Sequence, residues 1–275
     1  MLSTGRIGKI TVALAILILI LLAFRAWFIP FISVDDSQRQ PIVENELEQV
    51  DTSPDFISIS DVTEKKRQFF NYFRPMIKKE NALITAERNL LKSMISHIEQ
   101  GSELTDAESY QLAKITTRYK FKLSQPVTIQ QLDDLLIRVD TIPAELVLVQ
   151  AANESGWGSS RFSQEGNNYF GQWCFSKGCG LVPLSRREGL SHEVAKFDTA
   201  NDSVIAYMNN LNTNSAYTML RAIRADKRAQ QLDARAEELV YGLINYSERK
   251  EAYIEELLQM LRHNRKLLKE NTKDV

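Results

Sequence analysis

Cysteine and histidine are scarce in this sequence, and their scarcity excludes several classes of protein. Two cysteines in 275 residues cannot staple a small disulfide-rich fold. The three histidines, His97, His192 and His263, lack the spacing of metal ligands, so neither a metal site nor a cofactor is expected. The formal net charge of −1 gives no reason to expect a nucleic-acid partner, and no internal repeat is visible.

A long apolar run lies near the N-terminus. Residues 10–32 are almost entirely apolar, which is long enough to cross a bilayer. Arg6 and Lys9 precede the run without an acidic residue, so the positive-inside rule places residues 1–9 in the cytoplasm and the rest in the periplasm. We therefore expect a single-pass signal anchor in the inner membrane. A cleaved signal peptide, which would release the protein, is the alternative.

The rest of the chain is predicted to be a linker followed by helices. At 44% hydrophobic residues, the chain can form one sizeable domain with appendages. The predicted segments are a cytoplasmic tail at 1–9, a transmembrane anchor at 10–32, an acidic linker at 33–60, a helical extension at 61–125 and the main domain at 126–268.

Within the folded part, helical spacing in the extension predicts two helices separated near Pro75. We expect them to pack on the domain; a short stalk that raises the domain from the membrane is the alternative. Thr105 and Thr128 each open a helix with capping-box spacing. Between about Phe162 and Lys196 the helical period disappears, which predicts a loop or hairpin lobe. The fold class is therefore mainly α (α+β).

Glu154 lies where one of these helix patterns ends. The pattern begins at Pro143 and stops at Gly156. A carboxylate in the last turn meets the negative end of the helix dipole, and Trp157 offers an apolar wall, so both raise its pKa. A carboxyl that stays protonated near neutral pH can protonate a glycosidic oxygen, so Glu154 is the candidate general acid. The alternative is an ordinary solvated glutamate.

The residues around Glu154 also carry a resemblance to a known family. Ala-Ala-Asn-Glu-Ser-Gly-Trp-Gly at 151–158, with Asn-Asn-Tyr-Phe-Gly at 167–171 and Trp173, resembles the signature of glucosaminidase-type peptidoglycan hydrolases. These form glycoside hydrolase family 73 in the lysozyme-like superfamily. The resemblance covers roughly residues 130 to 265.

The resemblance implies a lysozyme-like helical domain with a small β-hairpin lobe. It also implies endo-β-N-acetylglucosaminidase activity, which cleaves the β-1,4 bond after N-acetylglucosamine in peptidoglycan. Two alternatives stay open. One is a lytic transglycosylase or muramidase, which cuts the other glycosidic bond, and the other is a catalytically inactive glycan-binding scaffold.

A cleft that binds sugar needs aromatic faces and amide side chains, and this composition fits a glycan better than a peptide. The residues expected to line it are Trp157, Asn167, Asn168, Tyr169, Gln172 and Trp173. A core position is the alternative for Trp173 and the favoured interpretation for Phe170.

A second catalytic group is needed beside the acid. Glu188 and Glu193 in the lobe are the available carboxylates, with Glu188 preferred; solvated hairpin charges are the alternative. The substrate's own N-acetyl group can act instead, polarised by Tyr246, which resembles a late tyrosine of the family; a buried structural tyrosine is the alternative. If Glu154 is not the acid, Glu165 is the next carboxylate to test.

The two cysteines, Cys174 and Cys179, lie five positions apart in the predicted lobe. In an oxidising periplasm they can close the lobe as a disulfide. Two free buried thiols are the alternative.

Overall fold

Helices form most of the chain that the structure describes, a computed structural model of residues 53–184, 186 and 192–269. The helices are α1 (Val62–Glu99), α2 (Asp106–Arg118), α3 (Ile129–Arg138), α4 (Ala144–Ser155), α5 (Arg161–Gly166), α6 (Ala200–Thr213), α7 (Thr218–Ala229), α8 (Ala236–Leu239), α9 (Glu251–His263) and α10 (Arg265–Lys269). Short 3₁₀ helices span Ser215–Tyr217 and Val240–Leu243. The strands are β1 (Trp173–Cys174), β2 (Gly180–Leu181) and β3 (Glu193–Ala195). The prediction of a mainly α fold is confirmed, and the strands form a small antiparallel sheet.

The predicted cytoplasmic tail, residues 1–9, and the predicted anchor, residues 10–32, lie outside the described residues. Most of the predicted linker, residues 33–60, lies outside them as well. Among the residues that are described, none of the helices is both long enough and apolar enough to cross a bilayer.

α1 is one continuous helix with Pro75 inside it, so the prediction of two separate helices was wrong. A proline in a helix interior costs about 3 kcal/mol, because it cannot donate a hydrogen bond to the preceding turn. Each fully buried apolar side chain gains about 1.5–3 kcal/mol in return. Buried side chains stand on both sides of the proline, namely Phe69, Phe70, Phe73, Met76 and Ile77. Packing of α1 against α3, α4 and α6 therefore outweighs the missing bond.

Side-chain caps begin several helices. Thr105 and Thr128 form complete capping boxes at the starts of α2 and α3, as their spacing predicts. Thr199 forms another at the start of α6, with Asp202 as its partner. These caps satisfy backbone N–H groups that have no partner inside their helices.

The segment that leads into α4 is held by side chains from neighbouring helices. Asn81 of α1 donates to the Ile142 carbonyl at 2.8 Å and accepts from the Ile142 N–H at 3.1 Å. Arg224 of α7, which is fully buried, donates to the Asp140 carbonyl at 3.0 Å. Asn212 of α6 donates to the same carbonyl at 3.1 Å. The start of α4, and with it the direction of the helix, is therefore fixed from three sides.

The other end of α4 stops at Gly156, as predicted. Gly156 has a left-handed φ of 55°, and the Trp157 N–H donates to the Ala152 carbonyl at 2.8 Å, which closes the last turn. Gly158 also has a positive φ, 77°, and a Cβ there would lie 2.4 Å from a ring carbon of Phe56. The chain can therefore leave α4 tightly only because glycine occupies position 158.

The β lobe consists of β1, β2, β3 and the loops between them. β3 is central and pairs antiparallel with both neighbours, with Val194 opposite Trp173 on one side and Leu181 on the other. The lobe is thus a three-stranded sheet and not the single hairpin that was expected. α5 also lies in the stretch expected to be non-helical, because six residues are too few to show a helical period.

A disulfide joins Cys174 to Cys179, with the two Cα atoms 6.2 Å apart. It connects the end of β1 to the residue before β2. The loop that it closes therefore runs from the Glu193 end of β3, opposite Cys174, to the Ala195 end, opposite Gly180.

Candidate active site

Glu154 lies in the last turn of α4, half-buried against α9. Its Oε1 atom accepts a hydrogen bond of 2.7 Å from the Tyr253 hydroxyl. Its Oε2 atom faces the backbone of Gly171, where an added Cβ would lie 3.7 Å away. We call Glu154, Gly171, Tyr246 and Tyr253 the acid site.

The pKa of Glu154 is raised above the ordinary value of a glutamate. Burial is the largest cause, because it disfavours the charged form. The hydrogen bond from Tyr253, the charge of Arg249 and a hydrogen bond from the Asn153 side chain oppose the rise, while the charge of Glu256 adds to it. The direction of this shift is the one that the sequence predicts. A carboxyl with a raised pKa can keep a proton near neutral pH and deliver it to a bound group.

Two stacked tyrosines form one wall of the acid site. The rings of Tyr246 and Tyr253 lie 5.6 Å apart and differ by 2° in plane. The Tyr246 hydroxyl donates to the Phe170 carbonyl at 2.6 Å, which holds the loop before Gly171 in place. Arg249 lies 5.7 Å from the centre of the Tyr253 ring and pairs with Glu256 at 2.6 Å. The site therefore combines an aromatic wall, a protonatable carboxyl and an ion pair.

Comparison with known proteins shows the family to which the chain belongs. The model described as "Glucosaminidase: Mannosyl-glycoprotein endo-beta-N-acetylglucosaminidase" matches residues 130–266. The chain is 36% identical over 215 residues to "Protein bax" of Escherichia coli (strain K12), covering 78% of this chain and 75% of that protein. The chain belongs to the glucosaminidase family. No solved structure matches it.

The glucosaminidase match contains every residue of the acid site. It begins within α3 and ends within α10, so it includes α4, the β lobe and α9. α1 precedes the matched stretch, yet it packs directly against α4. Family membership places the chain among glycosidases, a class of enzyme that uses a protonated carboxyl as general acid.

Trp157, expected to border Glu154, packs on α1 instead. Its ring lies 5.6 Å from that of Phe69 and 5.2 Å from that of Phe70, with Lys66 Nζ 5.1 Å from its centre. It borders a depression of about 410 Å³ that is also lined by α9. The aromatic neighbour that Glu154 has in the structure is Tyr253.

Three more of the predicted cleft residues support the backbone of the loop at 167–172. Asn167 donates to the carbonyls of Phe197 and Asp198. Asn168 is buried, donates to the carbonyls of Gln172 and Ala195, and accepts from the Phe170 and Gln172 N–H groups. Gln172 donates from its own side chain to the Ser203 carbonyl at 3.0 Å. These amides hold the loop, and Asn168 uses both its nitrogen and its oxygen to do so.

The aromatic residues at positions 169, 170 and 173 lie in different environments. Tyr169 is fully buried against Phe73, at 4.7 Å between ring centres, so it does not line a cleft. Phe170 is buried as expected and stacks on Tyr207 at 4.0 Å. Trp173 is 58% exposed and stacks on His192 at 4.3 Å, so it keeps a surface position in the β lobe.

Of the two carboxylates proposed as a second catalytic group, Glu188 lies outside the described residues, and Glu193 is engaged by the disulfide loop. Glu193 is buried, and its two oxygens accept from the Gly178 and Gly180 N–H groups at 3.0 and 2.8 Å. These bonds lower its pKa and use it to hold the disulfide loop. Glu165 pairs with Arg161 on the surface at 3.4 Å.

Within the described residues, one set of side chains has the proximity of a metal site, namely Cys174, Cys179 and Glu193. The two sulfur atoms are joined in the disulfide, so they cannot serve as thiolate ligands. The carboxylate of Glu193 is already used by backbone N–H groups. This set therefore fits a structural cross-link and not a metal.

The residues that sequence reasoning missed come from α9 and from the turn that precedes it. Tyr253, Arg249 and Glu256 all act on Glu154. Tyr253 is separated from Glu154 by 99 positions. In the sequence Tyr253 has the spacing of a core residue of α9, so no local signal marks it.

Proposed function

We propose that the chain is a peptidoglycan hydrolase, an endo-β-N-acetylglucosaminidase in which Glu154 is the general acid. The observation that carries this proposal is the environment of Glu154. It is a half-buried carboxyl with a raised pKa, held through one oxygen by Tyr253, in a chain of the glucosaminidase family. Such a group can protonate a glycosidic oxygen at a pH where most glutamates are ionised.

In this proposal Glu154 gives its proton to the oxygen of the scissile bond as the bond to the sugar's C1 breaks. The leaving sugar departs as a neutral alcohol, and Glu154 becomes a carboxylate. Water then adds to C1 and releases one proton to the base, which balances the proton that Glu154 delivered. Without the proton, the leaving group would depart as an alkoxide, which is much less stable.

Two groups are candidates for the second half of the reaction. One is Glu188 as the base that activates water, and the other is the N-acetyl group of the substrate, assisted by Tyr246. The Tyr246 hydroxyl proton is held by the Phe170 carbonyl at 2.6 Å, which favours a positioning role for this tyrosine. We therefore prefer Glu188.

We further propose that peptidoglycan strands are reached from the inner membrane. The apolar run at residues 10–32 would anchor the chain, with residues 1–9 in the cytoplasm and the domain in the periplasm. Release after signal cleavage is the alternative. Both place the disulfide in an oxidising compartment, where such bonds persist.

The experiment that tests the proposed bond specificity is digestion of purified peptidoglycan, followed by analysis of the reducing ends. N-acetylglucosamine at the new reducing ends supports the proposal. N-acetylmuramic acid at the new reducing ends would assign the chain to the muramidases, and non-reducing anhydro-N-acetylmuramic acid ends would assign it to the lytic transglycosylases. Binding of peptidoglycan without any new ends would identify a glycan-binding scaffold.

A further inference from the structure

A chain of three hydrogen bonds runs from the core to Glu154. Tyr207 donates its hydroxyl proton to Oε1 of Gln150, the Gln150 amide nitrogen donates to the Tyr253 hydroxyl at 2.8 Å, and Tyr253 donates to Glu154 Oε1 at 2.7 Å. Gln150 and Tyr207 are fully buried. Gln150 lies one helical turn before Glu154 in α4, so both side chains leave the same face of the helix.

The orientation of the Gln150 amide sets the direction of these hydrogen bonds. The structure places the amide oxygen of Gln150 against the buried Tyr207 hydroxyl, which donates to it. The amide nitrogen then faces Tyr253 and can only donate. Tyr253 therefore accepts from Gln150, and its single proton points at Glu154 Oε1.

We propose that Gln150 is a positioning residue, which fixes the direction of this chain so that Glu154 carries its acidic proton on Oε2, beside Gly171. The inference rests on the proposed role of Glu154 as general acid and deepens it. Oε1 accepts from Tyr253. In a protonated carboxyl the oxygen without the proton is the better acceptor, so this bond favours the proton on Oε2. The proton is thereby kept on the oxygen that faces the backbone of Gly171.

The opposite orientation of the Gln150 amide would move the proton. If the amide oxygen faced Tyr253, Tyr253 would donate to Gln150, and its oxygen would face Glu154. Glu154 would then bind to Tyr253 through a proton on Oε1, which points into the core. In that arrangement the proton is not available to a glycosidic oxygen near Gly171.

Several charged or titratable side chains act on this network. The charges of Arg249 and Glu256 affect the pKa of Glu154, and the pKa values of Tyr207, Tyr217, Tyr246 and Tyr253 are all affected by Glu154. Burial is the largest cause of the raised pKa of each of these tyrosines, so they stay protonated through the neutral range. The alkaline side of the activity profile therefore reports mainly on Glu154.

The first experiment removes the Tyr253 hydroxyl with Tyr253→Phe and measures peptidoglycan hydrolysis against pH. If Tyr253 donates to Glu154, the variant loses a bond that stabilises the carboxylate. The alkaline limb of the profile should then move to higher pH by about one unit. A limb that moves to lower pH would show that Glu154 donates to Tyr253, and would overturn the proposal.

The second experiment compares Gln150→Glu with Gln150→Met. The ionised carboxylate that Gln150→Glu introduces can only accept, so Tyr253 donates its hydrogen bond to it. The Tyr253 oxygen then faces Glu154 and draws the Glu154 proton to Oε1. The productive form then needs both carboxyls protonated, so the alkaline limb should lie at lower pH than in Gln150→Met. At neutral pH, kcat should fall about tenfold or more below that of Gln150→Met, with KM unchanged.

A purely electrostatic role for position 150 gives the opposite sign. A negative charge near Glu154 would raise its pKa and move the alkaline limb of Gln150→Glu to higher pH. Either that shift or identical alkaline limbs in Gln150→Glu and Gln150→Met would overturn the proposal. Melting temperatures and binding to insoluble peptidoglycan show whether each variant is folded. The variant Glu154→Gln separates failure of the proposed function from failure of this inference. If that variant keeps full activity, the proposed function fails; if it is inactive and the Gln150 limbs are equal or reversed, this inference alone fails.

Discussion

The change Asp140→Asn would remove a buried carboxylate that fixes the start of α4. Asp140 is 2% exposed, and it faces three arginines. Arg228 binds it with two hydrogen bonds of 3.0 and 2.9 Å, and Arg88 and Arg224 each lie 3.7 Å away. Removing the charge leaves the fully buried Arg224 without a counter-ion.

The size of the effect follows from this burial. Breaking a buried ion pair by removing one partner costs about 3–5 kcal/mol. Arg224 keeps hydrogen bonds to the Ile137 and Thr141 carbonyls, so we expect the lower figure, about 3 kcal/mol. In a domain of this size, that loss lowers the melting temperature by about 6–12 °C. Urea or thermal unfolding followed by circular dichroism measures it.

A matched control comes from the other carboxylate that pairs with Arg228. Asp233 forms an ion pair with the same guanidinium, but its side chain is 85% exposed. Asp233→Asn should therefore cost no more than about 1 kcal/mol. Equal effects of the two changes, or a loss below about 1 kcal/mol for Asp140→Asn, would refute the reasoning.

The ion pairs of Asp140 also predict that the stability lost in Asp140→Asn depends on pH. Burial alone would raise the pKa of Asp140, but the bond from Arg228 and the charges of Arg224 and Arg88 outweigh it and lower the pKa. A lowered folded pKa adds stability above the unfolded value, near pH 4, that is lost as the pH falls. The stability gap between the wild type and Asp140→Asn should therefore be full at neutral pH and shrink below about pH 4.

Two further outcomes are expected. Native protein isolated without reductant should show no free thiol, and Cys174→Ser should weaken the β lobe by about 2 kcal/mol while the helices stay folded; complete titration of both thiols in the native protein would contradict this. Protease added outside spheroplasts should cleave the domain and leave residues 1–9 intact; a protected domain would contradict the proposed topology.

Local signals explain how much of the fold could be predicted from the sequence. The capping boxes at Thr105 and Thr128 and the glycine stop at Gly156 depend on residues within a few positions of one another. The continuity of α1 through Pro75 depends instead on α3, α4 and α6, which no local pattern reveals. Tertiary packing therefore keeps α1 helical at Pro75, where the local sequence favours a break.

The acid site also combines features that the local sequence predicts with features that depend on distant residues. Burial at the end of α4 raises the pKa of Glu154, and the sequence of α4 already indicates that direction. The neighbour expected from the sequence was Trp157, whereas the structure supplies Tyr253 from 99 positions away. Asn168 and Tyr169 have the composition of a sugar cleft, yet they are buried. Side-chain direction in a loop without a period cannot be predicted from composition.

The most direct test of the central claim is the rate at which Glu154→Gln hydrolyses peptidoglycan, compared with wild type and with Glu145→Gln. Glu145 lies in the first turn of the same helix, so the control makes the same chemical change at the opposite end of α4. Glu154→Gln keeps the shape but has no acidic proton. The rate should fall about 100- to 10,000-fold, whereas Glu145→Gln should match wild type.

Stability and pH complete that measurement. Because the folded pKa of Glu154 is raised, its stabilising contribution is lost as the pH rises through that pKa. The melting temperature of Glu154→Gln at pH 8 should therefore equal or exceed that of wild type, and wild-type activity should decline on the alkaline side as Glu154 ionises. A folded Glu154→Gln variant that clears peptidoglycan at the wild-type rate would contradict the account.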